Sequence, residues 1–184
     1  MILIGIGANL PNPDFGSPRA TCGAALESLE KIGIFIDKRS PWYSSEPVPV
    51  SRDPWYVNGV VAVKTNLEPN DLMIRLLRIE KNFGRTRIGL SQSRTLDLDI
   101  LAYHERILSK MAENELQLQI PHPRMHTRGF VLRPLADISP DWIHPSLGET
   151  ATKLINKLNV LPKITVMADA NGYLGTEWRV PRSP

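Results

Sequence analysis

A single cysteine, Cys22, leaves no partner for an internal disulfide and excludes a cysteine-based zinc cluster. It is expected to be a small buried hydrophobe. No apolar run approaches the roughly 20 residues of a membrane span. The start, Met1-Ile2-Leu3-Ile4-Gly5-Ile6, has no basic stretch ahead of its apolar residues. It reads as a first strand rather than a signal peptide, and the expected setting is the cytoplasm. Charge of one sign is not in large excess: 22 Lys and Arg stand against 19 Asp and Glu, a net +3. That mild basicity suits a polyanionic ligand, either a nucleotide or a nucleic acid. Two glycine motifs for phosphate are missing. Gly5 and Gly7 begin G-x-G-x-x-G, but Leu10 stands in the third glycine's place, and there is no G-x-x-x-x-G-K-[ST]. Internal repeats and interdomain linkers are also absent, so the 184 residues are expected to form one domain over 1–168 with a tail at 169–184.

What is present is a regular alternation of elements. Residues 2–7 predict a strand, and Pro18 to Ile32 a helix stopped by Gly33. Ile34 to Tyr43 predicts a strand, and Ser44 to Pro54 a loop, since it holds Pro47, Pro49 and Pro54. Tyr56 to Val63 predicts a strand. A helix opens at Pro69, carries Leu72, Leu76, Ile79 and Phe83 on one stripe, and ends at Gly84. A strand follows from Arg94, then a hairpin pairing Ile107-Leu108 with Leu116 to Ile120. Met125 to Leu135 reads as a short helix or helical turn, Leu147 to Leu158 as a clearer helix, and Ile164 to Val166 as a last strand. The core order β-α-β-β-α-β is that of the α+β ferredoxin-like antiparallel sheet sandwich, here with a C-terminal hairpin and helix extension.

Chemistry concentrates in Arg94-Thr95-Leu96-Asp97-Leu98-Asp99-Ile100. With period 2, Asp97 and Asp99 share a face, their Cα atoms roughly 6.5–7 Å apart. Carboxylates that close need a cation or arginines between them. Arg85, Arg87 and Arg94 precede the pair; Arg124, Arg128 and Arg133 follow it. One reading is a salt-bridge network on a solvated face, worth little. The other is a phosphoryl-transfer site, with carboxylates holding Mg²⁺ and arginines gripping phosphate oxygens. His122 and His126 suggest zinc, but no glutamate follows His122 and Pro123 breaks a helix there, so a phosphate contact from His122 suits better. Tyr56 and Asn58 share a strand face and could stack on and read a flat heterocycle, or simply pack the sheet.

These segments together resemble the 6-hydroxymethyl-7,8-dihydropterin pyrophosphokinases of folate biosynthesis. The resemblance runs in order through Gly7-Ala8-Asn9-Leu10, Tyr43-Ser44-Ser45, Tyr56-Val57-Asn58, Ile79-Glu80 and Gly84-Arg85-Thr86-Arg87. It continues through Arg94 to Ile100 and Pro121-His122-Pro123-Arg124-Met125-His126, then Arg128 and Phe130. It implies a Mg-ATP-dependent enzyme that passes pyrophosphate from ATP to the pterin alcohol, leaving AMP. By the same resemblance, Asp97 and Asp99 would ligate two Mg²⁺ ions. Tyr56 and Phe130 would sandwich the pterin, with Asn58 reading its amide edge and Ser45 and Val48 completing the pocket. Arg85, Arg94, Arg128 and His122 would contact the triphosphate, with Glu80, Arg87 and Ile100 on the nucleotide side. The expected working unit is a monomer acting on small molecules, without nucleic acid or membrane.

The chain departs from the family pattern at Ile88 to Ser93, which lacks a tryptophan and an extra arginine, at Leu77, where a polar residue is common, and at Pro123. The altered loop motivates one alternative, a paralogue that binds pterin or nucleotide without turnover. A ferredoxin-like RNA-binding module is the other; it would expose aromatics on its central strands, whereas this chain places acids on one.

Overall fold

The structure, a computed structural model, describes residues 1–84, 94–108, 118–158 and 163–168. Among these residues six antiparallel strands form one sheet: β1 (Ile2–Ala8), β2 (Phe35–Arg39), β3 (Tyr43–Ser45), β4 (Tyr56–Lys64), β5 (Asp97–Tyr103) and β6 (Ile164–Val166). Their order is β5-β1-β4-β3-β6, with β2 paired to the other half of β4. Helices α1 (Pro18–Lys31) and α2 (Pro69–Asn82) follow β1 and β4. With β2 and β3 taken as one interrupted strand, this is the expected ferredoxin-like path.

Both crossover helices begin on a proline, whose missing N–H costs nothing in the first turn. The Ser17 hydroxyl caps α1 by accepting from Ala20 N at 3.2 Å. Gly33 and Gly84, at φ +81° and +76°, carry the left-handed turns that end the two helices. Their apolar stripes, Leu26, Leu29, Leu72 and Leu76, pack under the sheet against Ile2, Ile4, Ile6, Leu98 and Ile100. Cys22 is fully buried in the same layer.

Among the described residues the opposite sheet face is only half covered. Helix α3 (Gly129–Ile138) lays Val131, Leu135 and Ile138 on Leu3, Val60, Ala62 and Leu101, with α4 (Ala151–Asn156) behind it. Leu3 pairs with Ala102 and Ile4 with Ile100, which leaves Leu101 as a bulged residue. The bulge turns Leu101 and Ala102 both toward α3 and explains why acid–apolar alternation gives way to the apolar run Ile100 to Tyr103. Beyond α3, on the same face, lie Asp97 and Asp99.

Several expected boundaries change. The strand expected over 34–43 is broken at Ser40–Trp42, where Pro41 has no N–H for the ladder. Ser40 bridges the gap by donating its N–H to Val60 O and accepting from Val60 N with its hydroxyl. The loop expected from Ser44 starts after Ser45 instead, because β3 pairs with β4 on one side and β6 on the other. Ladder pairing in β5 begins at Asp97, not Arg94; Arg94 O is taken by the N–H groups of Asn9 and Leu10. The helix expected over 147–158 shortens to α4, since Gly148 (φ +65°) closes a turn on His144 and Thr150 caps the start. Of the expected hairpin, Leu108 and Ile120 exchange both main-chain hydrogen bonds; residues 109–117 lie outside the described set. Met125–Thr127 is a 3-10 turn leading into α3. Among the described residues no helix is long and apolar enough to cross a membrane.

Candidate functional site

The uncovered half of the sheet face is the floor of a cavity of about 680 Å³. That volume suits a bound small molecule. In β1 the even positions point into the α1–α2 core, while Gly5 and Gly7 face the cavity. Gly7 pairs with Asn58 on one side and Asp97 on the other; Gly5 pairs with Asp99. A Cβ on Gly7 would sit 3.3 Å from Asn58 Oδ1. The floor is therefore bare backbone between an amide and two carboxylates.

One wall suits a flat heterocycle. Tyr56 and Asn58 stand on β4; Val48 and Pro49 come from the proline loop, and Phe130 from the first turn of α3. The Asn58 amide donates to Ser45 Oγ at 2.7 Å, which holds its plane and turns its carbonyl toward Gly7. Burial raises the Tyr56 phenol's pKa, partly offset by Arg94 beside it, so it stays protonated. The Arg128 guanidinium lies over the Phe130 ring, 5.5 Å from its centroid.

The other wall is charged. Asp97 and Asp99 reach the cavity as their shared face requires. Arg94 forms an ion pair with Asp97, so part of the plain salt-bridge reading is realised here. His122 is fixed through its main chain, N–H to Leu101 O at 2.8 Å, and its Nδ1 accepts from Arg124 N at 3.1 Å. That leaves the neutral ring's proton on Nε2, 3.9 Å from Asp99 Oδ2. Burial and the charges of Arg128 and Arg124 push its pKa down to about 4, so it is neutral near pH 7. Burial and Arg124 also lower the Arg128 pKa without discharging it.

Among the described residues no three His, Cys, Asp or Glu side chains cluster as a metal cage. Two hard carboxylates open to a cavity fit Mg²⁺, which keeps water and takes phosphate oxygens for the rest of its shell.

The cavity thus gathers Ser45, Val48, Tyr56, Asn58, Arg94, Asp97, Asp99, His122, Arg128 and Phe130. Two expected residues lie behind the floor. Ile100 packs in the α1–α2 core, and Glu80, 2% exposed, accepts from Leu98 N at 2.8 Å. Glu80 therefore holds the main chain between the two aspartates from beneath. Arg85, Arg87 and the loop Ile88–Ser93 lie outside the described residues.

Sequence reasoning missed the bare floor, although the alternation Gly5-Ile6-Gly7 in a strand was its signal. It also missed Asn9, 2% exposed, whose Nδ2 donates to Pro54 O at 3.1 Å and whose Oδ1 accepts from Arg94 N at 2.7 Å. Asn9 ties the end of the proline loop to the start of the acidic strand. Arg124 and Thr127 join the rim.

The chain is similar to proteins already known. Residues 3–140 match the family described as 7,8-dihydro-6-hydroxymethylpterin-pyrophosphokinase (HPPK). The 2-amino-4-hydroxy-6-hydroxymethyldihydropteridine pyrophosphokinase of Synechocystis sp. is 38% identical over 157 residues, 85% of this chain and 75% of its own. That of Pseudomonas aeruginosa is 40% identical over 141 residues, 76% and 81% respectively. The folic acid synthesis protein fol1 of Pneumocystis carinii is 36% identical over 160 residues, 85% of this chain but 20% of its length. A Plasmodium falciparum HPPK-DHPS crystal structure superposes with TM-score 0.65 at 17% identity, over 85% of this chain and 44% of that one, which speaks for the fold. The chain spans less than half of such fused proteins and most of the separate bacterial enzymes. With the family match covering well over half its residues, the chain belongs to the 7,8-dihydro-6-hydroxymethylpterin-pyrophosphokinase family.

Proposed function

We infer that this chain transfers pyrophosphate from ATP to the hydroxymethyl oxygen of 6-hydroxymethyl-7,8-dihydropterin, a step of folate biosynthesis. The substrate hydroxyl gives its proton to solvent as its oxygen bonds to the β-phosphorus, the bond from that phosphorus to the oxygen it shares with the α-phosphorus breaks, and AMP leaves with that oxygen. One observation carries the reading: a heterocycle slot and an acid–arginine cluster meet across the bare glycine floor of one cavity.

In this reading Tyr56 and Phe130 sandwich the ring, and Asn58, oriented by Ser45, reads its amide edge, with Val48 closing the side. Asp97 and Asp99 would hold Mg²⁺, two ions by the family resemblance. When bound, the metal would supply charge neutralisation at the phosphates and lower the pKa of the attacking hydroxyl. Arg94, Arg128 and the Nε2–H of His122 aim donors at phosphate oxygens, where charge builds up during transfer. Arg85 and Arg87 are assigned the same work. Glu80 acts through the β5 main chain. Since β5 ends the sheet among the described residues and the Ile100 side chain is buried, Ile100 would meet the nucleotide through its main chain.

The proposed working unit is a monomer, with one domain over 1–168. The fully buried thiol of Cys22 suits a reducing, cytoplasmic setting. Purified protein with Mg²⁺, ATP and the pterin alcohol should release AMP. Asp97→Asn and Asp99→Asn should each lower kcat by on the order of 10³-fold. Release of ADP, or AMP release independent of the pterin, would overturn the assignment.

A further inference from the structure

The heterocycle slot has one wall on the sheet and one on a helix, so something must set the gap between them. The Phe130 wall is carried by α3, which rests on β4 mainly through Val131, Leu135 and Ile138. Apolar contact of this kind is non-directional and leaves the helix free to slide or roll. Its own ladder is also incomplete. Pro134 lies inside α3 and has no N–H to offer the Phe130 carbonyl, so the turn bearing Phe130 lacks a rung.

Lys38 and Tyr43 tether the far end of this helix. Lys38 Nζ donates to Ile138 O at 3.3 Å. The Tyr43 hydroxyl donates to Asp137 Oδ2 at 2.5 Å, a short, charge-assisted bond. Tyr43 itself is 5% exposed and stands on β3 directly opposite Asn58, two residues before Ser45. It therefore belongs to the polar row that fixes the pterin-reading amide. Asp137 follows Phe130 by seven residues, two turns of helix, so both project from one side of α3, roughly 10 Å apart along its axis.

We propose that Tyr43 and Asp137 are a positioning pair that sets how far α3, and with it Phe130, stands from the Tyr56–Asn58 strand. The bond locks the helix to the strand that also orients Asn58, and so fixes the width of the slot. Burial and the neighbouring Asp137 carboxylate raise the Tyr43 pKa, which keeps the hydroxyl a donor throughout the working pH range. This proposal rests on the assignment of Tyr56 and Phe130 as the pterin walls.

The test is steady-state AMP formation with each substrate varied in turn. Tyr43→Phe keeps the buried ring, and Asp137 is surface-exposed, so both sites can be changed without emptying the core. Tyr43→Phe and Asp137→Ala should each raise KM for the pterin on the order of ten-fold, as a sub-ångström misplacement does. KM for ATP should stay within about two-fold. Asp137→Asn, which keeps an acceptor oxygen, should restore most of the pterin affinity. The double variant Tyr43→Phe/Asp137→Ala should be no worse than either single one. An unchanged pterin KM, equal rises for both substrates, additive effects, or Asp137→Asn as poor as Asp137→Ala would each overturn the proposal. Wild-type protein that makes no pterin-dependent AMP would instead remove the functional reading, and the proposal with it.

Discussion

Gly59, in the middle of β4, is held to glycine by Trp42. An alanine Cβ there would lie 2.7 Å from Trp42 Cζ3 and 2.8 Å from Cε3, against the 3.5–4.0 Å of a normal carbon contact. The indole is 1% exposed and wedged in the α1–α2 core, so it has to be pushed by roughly 0.8 Å or more into close-packed neighbours. Overpacking of that kind costs about 1–3 kcal/mol. Gly59 has an ordinary backbone conformation, so alanine also brings about 0.4–1 kcal/mol of unfolded-state entropy in its favour. Gly59→Ala should then destabilise by about 1–2 kcal/mol. For a protein of this size that lowers Tm by roughly 2–8 °C. Thermal unfolding followed by circular dichroism measures it. Cε3 and Cζ3 belong to the six-membered ring, so Trp42→Phe changes the group that clashes. The Gly59→Ala/Trp42→Phe double variant should lose less than the sum of the two singles, by about 1 kcal/mol. An unchanged or raised Tm for Gly59→Ala, or strict additivity in the double variant, would refute the reasoning.

Glu80→Ala should cost about 1–3 kcal/mol in urea unfolding, because Leu98 N–H is left buried without its acceptor, whereas Glu80→Gln should recover part of the loss. Equal losses would mean that the bond to Leu98 N is not what Glu80 contributes. His122 binds its proton less readily folded, near pH 4, than unfolded, near 6.5. The unfolded chain therefore gains protons first as pH falls, so stability complete above 6.5 should decline toward 4 by at most about 3 kcal/mol. His122→Gln, compared with wild type in the presence of EDTA, should flatten that decline; parallel curves would contradict it. Gly7→Ala, whose Cβ would press on Asn58 Oδ1, should raise KM for the pterin more than for ATP in the AMP assay.

Elements with local causes could be read directly from the chain. Pro18 and Pro69 with their apolar stripes mark α1 and α2, and the alternation of Asp97 and Asp99 with Leu98 and Ile100 marks the acidic face. What stayed hidden depends on partners far away in the sequence. Ser40 can end one strand and start another only because Val60 lies opposite. The Asn9 carboxamide finds Pro54 and Arg94, 45 and 85 residues away, and no local pattern announces such a role. Glu80 reads as a polar residue on a helix, and only the packing of α2 under β5 brings its carboxylate to Leu98 N. The bulge at Leu101 is likewise a matter of register between strands, so alternation could be followed only as far as Ile100. The residues that line the cavity were more open to sequence reading than the strand boundaries, because the proposed chemistry needs particular side chains whereas a boundary needs only a partner.

The row Asn58–Gly7–Asp97 crosses three adjacent strands, so its length is two interstrand spacings, roughly 9–10 Å between the outer Cα atoms. Hydrogen bonding sets that spacing and no side chain can retune it. In the proposed reading the sheet would act as a ruler laid under the substrate, with the amide at one end, the carboxylate at the other and an unobstructed glycine between. A pterin alcohol with one more methylene in its arm should still seat its ring against Tyr56, but its oxygen would overrun the mark and turnover should collapse while binding persists.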